Sequence, residues 1–205
     1  MPETNKSEII LDALQQLLEE KNIQHISVSD IAAKAGIGKG SIYYYYSSKD
    51  AIVDALIKRS YEKPLQTAKS LATQTGISSF TRMAMLFQAC QNSSAIFLRQ
   101  KHKPTTSAQD LAFLHQKYLN YVVSELKPVL TEIISQGIES GEIHFDHPAA
   151  LAEIVLIVLA VKFDNSLIPA SPAEMADTLK GLIELLEKGT GVPTGTLEYL
   201  SVPNN

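Results

Sequence analysis

The 205-residue sequence predicts an all-α chain of about nine helices, with a cluster of short helices at the N-terminus and a larger helical portion after it. Two observations carry this reading. Apolar residues recur three and four positions apart in almost every segment, as on one face of a helix, and nowhere alternate with period two as in a half-buried strand. Two signals, Ser27-x-x-Asp30 and Ser171-Pro172-Ala173-Glu174, mark helix starts, because the serine and the acidic residue three positions on satisfy each other's backbone N–H groups.

Taken in order, Ile10, Leu14, Leu17 and Leu18 place the first helix over 6–21. Ser27 opens a short helix that ends at Gly36, and Gly36-Ile37-Gly38 forms a tight turn. A second short helix covers 39–46. Ser47 or Ser48 caps the next, over 48–73, whose apolar face is Ile52, Val53, Leu56 and Ile57. After Gly76, helical spacing resumes through Phe80, Met83, Ala84, Phe87 and Cys90, and again at Ile96 and Phe97. Residues 101–107 read as a polar loop. A long helical stretch covers 108–139, where Pro128 removes a backbone donor and predicts either a kink or two helices in sequence. Residues 141–146 are a connector, and Pro148 stands at the tolerated first turn of an apolar helix. The last helix starts after Ser171, carries Met175, Leu179, Leu182, Ile183 and Leu186 on one face, and closes at Gly189; the tail beyond reads as irregular.

Composition excludes several classes. With 45% hydrophobic and 20% charged residues, the chain can bury a core, and wholesale disorder is excluded. One cysteine, Cys90, permits no intrachain disulfide, and a reducing, cytoplasmic compartment fits best. Cys90 stands among apolar neighbours and reads as an inert buried thiol. The N-terminus lacks the basic-then-apolar layout of a secretory signal. The longest apolar run, from Ile154 to Val161, is far short of the ~20 residues a membrane span needs. No nucleophile elbow, phosphate-binding loop, dinucleotide fingerprint or H-E-x-x-H motif is present, which argues against an enzyme; no cofactor is implied.

The informative block is 27–52, SVSDIAAKAGIGKGSIYYYYSSKDAI, two short helices around a glycine-containing turn. This is the helix-turn-helix arrangement, whose second helix enters the major groove of DNA while the first crosses the backbone. At ~100° per residue, four successive tyrosines cannot share a face. Ile42 and Tyr46, four apart, point to the core, leaving Lys39, Tyr43 and Tyr44 outside. Tyrosine hydroxyls donate to phosphates and the rings pack on sugars or thymine methyls; Lys39 and Lys49 suit phosphates.

At these positions the sequence resembles the TetR family of bacterial transcription regulators: Val28-x-x-Ile31-Ala32-x-x-Ala35-Gly36-Ile37-x-Lys39-Gly40-Ser41-Ile42-Tyr43-x-Tyr45-Tyr46-x-x-Lys49-Asp50 follows the family's N-terminal pattern without a gap. The match covers about the first quarter of the chain; the remainder agrees in layout. The resemblance implies a DNA-binding domain over 1–50 and an effector-binding and dimerisation domain over 51–205. It implies a regulator, most simply a repressor, that binds a palindromic double-stranded operator as a homodimer and is released by a small molecule. An architectural DNA-binding protein of the same fold, without an effector, is the alternative. Carried over, Lys39, Ser41, Tyr43, Tyr44 and Tyr45 become DNA contacts, Lys49 a phosphate contact, and Ser27 and Ser29 backbone contacts. Two departures stand out: Gly38 replaces the usual serine cap, and Tyr46 replaces a phenylalanine, so its hydroxyl needs a partner or a route to solvent.

Beyond 51, Met83, Phe87, Cys90, Phe97, His102, Phe113, His115, Tyr118 and Tyr121 are candidates to line an effector cavity, with Gln88, Asn92 and Gln116 as further polar groups; ordinary core packing is the alternative. Little charge among them points to an apolar or weakly polar effector. The helix after Pro148 is apolar almost all round and the last helix adds a second stripe, so Leu151, Ile154, Val155, Val158, Met175, Leu179, Leu182 and Leu186 are candidates for a four-helix dimer interface. Glu142, His144, Asp146 and His147 lie close together in sequence, a polar connector or metal ligands.

The net charge of −4 speaks against nucleic acid until it is divided. Residues 31–60 hold Lys34, Lys39, Lys49, Lys58 and Arg59 against Asp50 and Asp54, a local +3. That excess is modest, so phosphate contacts must lean also on tyrosine, serine and backbone amides. The slope of log affinity against log salt, measured by fluorescence anisotropy on a bound duplex, is expected to be well short of the −10 of the most charge-driven repressors.

Overall fold

In a computed structural model, residues 5–98, 108–164 and 168–201 are described. They form eight α-helices: α1 (Lys6–Glu20), α2 (Val28–Ala35), α3 (Lys39–Tyr45), α4 (Lys49–Ala72), α5 (Ser79–Leu98), α6 (Ala108–Glu139), α7 (Pro148–Asp164) and α8 (Pro172–Thr190), with single 3₁₀ turns at Ile23–His25 and Glu198–Leu200. No strand occurs among the described residues, and no helix there is long and apolar enough to cross a membrane. The chain divides into two compact units, Met1–Glu62 with Ile96–Tyr121, and Lys63–Ala95 with Val122–Asn205.

The first unit is built on Ile10, Leu14, Ile23, Ile26, Ile31, Ile42, Ile52, Val53 and Ile57, all fully buried. Each short helix is sealed locally. Asn5 accepts from the Ser7 N–H at the start of α1. Ser27 and Asp30 form the capping box of α2, and Gly36 ends that helix at φ +66°, a left-handed angle at which its own N–H and that of Ile37 reach back to carbonyls of the last turn. Ser48 Oγ accepts from the Ala51 N–H and so caps α4. Polar ties then lock the helices together. Arg59 on α4 donates to Glu8 at 2.9 Å, Asp12 at 2.8 Å and Gln15 at 2.9 Å, all on α1. Lys21 reaches Asp30 at 2.9 Å and Lys34 reaches Glu20 at 2.6 Å, joining α1 and its exit to α2. On the N-terminal half of α6, Lys117 pairs with Asp54 of α4 at 2.8 Å and lies over the Phe113 ring, while the Tyr118 ring packs on Tyr61 at 4.7 Å.

In the second unit, the later part of α6 buries Val122, Leu126, Val129, Leu130, Ile133 and Ile134. Of the two outcomes expected at Pro128, a split does not occur: one helix runs through it, with Pro128 on the exposed side. Gly137 is buried in the last turn, where a Cβ would stand 2.7 Å from Ile143 Cδ1 and 2.8 Å from Ser79 Oγ. Around this point α4, α5 and α6 meet. The buried Arg82 guanidinium donates to the Ala72 carbonyl, to Gln136 Oε1 and to Ser79 Oγ, and Glu142 accepts from the Ser79 N–H at 2.8 Å. The helix α8 runs to Thr190 and closes at Gly191 (φ +70°), two residues beyond the glycine expected to end it. The tail is irregular apart from its 3₁₀ turn, yet it is docked. Buried Glu187 accepts the Gly195 and Leu197 N–H groups, each at 2.9 Å, Val192, Leu197 and Leu200 are buried, and the Tyr199 ring packs on Phe87. Burial pushes the Tyr199 hydroxyl's pKa far above the ordinary phenol range.

Two outcomes follow. Gly137→Ala forces a methyl into occupied space and is expected to lower stability by about 1–3 kcal/mol in urea denaturation. The Asp30 carboxyl is held well below the usual carboxylate range, first by the Ser27 side chain, then by the Ser27 N–H and by Lys21. A depressed folded pKa contributes stability that is full above the ordinary value of 3.8 and is lost as pH falls below it. The difference in Tm between the parent and Asp30→Asn should therefore narrow as pH is lowered from about 5 to about 2, and a constant difference would remove Asp30 as the cause.

Candidate nucleic-acid interface

The helix α3 has seven residues and only Ile42 is buried. With that residue facing inward, helical geometry turns its neighbours outward. Tyr44 is 83% exposed and Tyr43 50%, Tyr45 and Lys39 are exposed, and Ser41 is half-buried. The Tyr44 and Tyr45 rings meet edge to face at 5.0 Å, which limits their freedom before any partner arrives. At the start of α3, Gly38 occupies the cap position with no side-chain hydrogen bond, and the space a Cβ would take at Gly36, Gly38 or Gly40 is empty. The approach to the helix is thus open over its first turn.

Tyr46 follows α3 and is half-buried; its hydroxyl meets Ser7 Oγ at 2.6 Å. This supplies the partner that a tyrosine in place of phenylalanine requires. Ser7 lies 39 residues away, and nothing in the local pattern points to it. Lys49, the position matched to a phosphate contact, donates to the Ile23 carbonyl at 2.9 Å and anchors α4 to the loop before α2. Ser27 is exposed but bonded in its capping box, and Ser29 is exposed on α2.

These bonds redistribute the local positive charge. Lys34 and Arg59 are ion-paired and Lys49 is bonded to a carbonyl. Lys39 and Lys58 are exposed and make no ion pair among the described residues. The face that carries α3 is accordingly rich in hydroxyl and aromatic surface and poor in free charge.

The other candidate residues are distributed as follows. Met83 and Phe87 are half-buried in the second unit; Phe113, Tyr118 and Tyr121 belong to the first, where Phe113 lies under Lys117 and Tyr118 against Tyr61. Gln88 and Gln116 are exposed. Cys90, Asn92, Phe97, His102 and His115, and the expected loop over 101–107, lie outside the described residues or side chains. On α7 and α8, Leu151, Leu179, Leu182 and Leu186 are buried within the subunit, while Val155, Val158 and Met175 are half-buried. Apolar exposure falls on Ile154, one of the expected interface residues, and on Ile157 and Leu185, which were not among them, the last at 69%. Spacing identified α7 and α8 but not Ile157 or Leu185. Of the connector cluster, Glu142 caps α5, His144 packs on Gly191 and His147 faces Phe145 edge-on; among the described residues no group of three or more potential ligands is gathered.

Comparison with known proteins now gives this geometry its context. Residues 10–56 match the family described as bacterial regulatory proteins, tetR family, and residues 94–184 match the tetracyclin repressor-like C-terminal domain. The HTH-type transcriptional regulator YxbF of Bacillus subtilis is 40% identical over 58 residues, 28% of this chain and 15% of that protein. The HTH-type transcriptional repressor KstR2 of Mycobacterium tuberculosis is 25% identical over 137 residues, 64% of this chain and 66% of that protein. The chain therefore spans less than two thirds of the length of either relative. Among solved structures, SmeT, the repressor of the Stenotrophomonas maltophilia multidrug efflux pump SmeDEF, shares the fold with a TM-score of 0.57 at 15% identity, over 97% of this chain and 94% of that one. The two family matches together cover well over half of the sequence, with the helix-turn-helix inside the first, and the chain belongs to the tetR family of bacterial regulatory proteins.

Proposed function

We propose that the chain is an effector-responsive transcriptional regulator, most simply a repressor, that binds a palindromic operator as a homodimer and is released by a small-molecule ligand. The observation that carries the reading is the outward face of α3, where Lys39, Tyr43, Tyr44 and Tyr45 are exposed on a helix whose one buried residue is Ile42. Residues 1–50 supply the DNA-binding domain, with Ser41 beside those four side chains and Ser27 and Ser29 on the DNA backbone, while Lys49, bonded to the Ile23 carbonyl, positions the start of α4. The segment over 51–205 takes the effector and dimerises. Its ligand is apolar or weakly polar, in keeping with the aromatic and sulfur-bearing positions of α5 and α6. Ile154 and Ile157, one turn apart on α7, and Leu185 on α8 are large apolar side chains left in water, and they are assigned to the surface that the partner covers. A second subunit would cover them by repeating the same helix pair about a two-fold axis. The relatives named above are transcriptional regulators, and a regulator that is not an enzyme agrees with them.

The test uses the full-length protein on DNA from its own upstream region. Lys39→Ala combined with Tyr44→Ala is expected to abolish the gel shift while sedimentation still reports a dimer; undiminished binding would refute the assignment of α3. Leu185→Asp is expected to give monomer and to lose at least tenfold in DNA affinity. A dimer that persists in that variant and in Ile157→Asp would move the interface elsewhere.

A further inference from the structure

We infer that the recognition helix takes its sequence discrimination chiefly from thymine 5-methyl groups, so that each operator half-site presents thymines to Tyr43 and Tyr44. The inference rests on the DNA-binding reading above and adds the chemistry of the sequence that is bound.

In the major groove, guanine is read by arginine or lysine, adenine by asparagine or glutamine, cytosine by a carboxylate, and thymine by apolar contact with its methyl group. The helix α3 reads Lys39-Gly40-Ser41-Ile42-Tyr43-Tyr44-Tyr45 and contains no arginine, asparagine, glutamine, aspartate or glutamate. Lys39 is its one group able to single out guanine, and it stands at the N-terminal end. Serine hydroxyls both donate and accept, and so separate the bases poorly. What remains is ring surface, most of it on Tyr44 and Tyr43.

The surroundings favour the same outcome. Residues four apart share a face of a helix, so the base edge that meets Tyr44 also passes the position four residues earlier. That position is Gly40, where a Cβ would meet nothing within 4 Å. A bulkier residue there would hold the base edge away from the ring; glycine lets a methyl come into van der Waals contact. The edge-on Tyr45 ring limits the freedom of Tyr44, so less is lost when the contact forms. Of the other cations in residues 31–60, Lys34 is engaged with Glu20, Lys49 with the Ile23 carbonyl and Arg59 with α1, which leaves only Lys58 exposed and unpaired among the described residues. Tyrosine hydroxyls remain free to reach phosphates, which positions the helix without specifying sequence.

The experiment selects tightly bound duplexes from a randomised library with the full-length protein, then replaces individual thymines by deoxyuridine, which removes the methyl and leaves the pairing edge intact. Deoxyuridine within the half-site is expected to weaken binding about fourfold per position, the ratio that ~0.8 kcal/mol for one buried carbon produces, and about sixteenfold when both half-sites are changed together. Deoxyuridine in the flanks should have no effect. Tyr44→Phe should keep the methyl dependence and Tyr44→Ala should erase it at its own position, a coupling that a purely structural role would not produce. Tyr44 is so exposed that neither change threatens the fold. Selected half-sites without thymine, or full affinity after methyl removal, would overturn the inference alone. A selection that enriches no sequence would overturn the DNA-binding reading and this one with it.

Discussion

A helix of seven residues has no stability of its own in water, since isolated helices below about 12–15 residues are marginal. The existence of α3 therefore depends on tertiary packing, chiefly the full burial of Ile42 in the core of the first unit. That dependence fixes the rest of the face. Because a single inward side chain holds the helix, the tyrosines on either side are released from packing and stand in solvent. The turn before it must be tight, and Gly36 supplies the left-handed angle. The chain after it must be pinned, and the Tyr46 hydroxyl on Ser7 with Lys49 on the Ile23 carbonyl does so. Replacing Ile42 by a smaller residue would loosen the anchor of the whole exposed face.

The same unit uses its charges to hold itself together. Arg59 draws together two carboxylates and an amide of α1, and Lys21, Lys34 and Lys117 each join two segments. Exposed pairs of this kind contribute little each, typically under ~1 kcal/mol, but several in a small unit fix the angles between short helices. The consequence is a stiff presentation of α3 with a weak electrostatic field around it. On the proposed reading, phosphate attraction contributes less to affinity, and shape and ring contact contribute more.

What could be read in the sequence was local or periodic. The capping boxes at Ser27 and Ser171 were legible because both partners lie within one turn. The alignment of 27–52 with a known pattern located the helix-turn-helix, and helical spacing placed most helix ends within a residue or two. What could not be read depended on distant partners. Ser7 meets Tyr46 across 39 residues and Lys49 meets Ile23 across 26. Periodicity finds an apolar stripe without saying what covers it: Leu182 and Leu186 pack within the subunit, whereas Leu185, on the same helix, faces outward. Pro128 was ambiguous because the cost of a helical proline depends on which face carries its ring, and that face is set by tertiary packing. The tail looked irregular because its order comes from two N–H groups received by one carboxylate, Glu187, a bond that leaves no mark in composition.

These features bear together on why one such unit would not suffice. A short helix touches few bases, a single methyl or phosphate contact changes affinity only a few-fold, and a genome offers about 10⁶–10⁹ competing sites. Free cations are scarce around α3, so added charge cannot make up the difference. Two heads held on one two-fold axis can, because the second then binds at an effective concentration set by the first, and the discrimination of each half-site multiplies that of the other. On the proposed reading, the weaker the reading by each α3, the more the dimer must be a permanent one, held by side chains such as Ile157 and Leu185 rather than assembled on DNA.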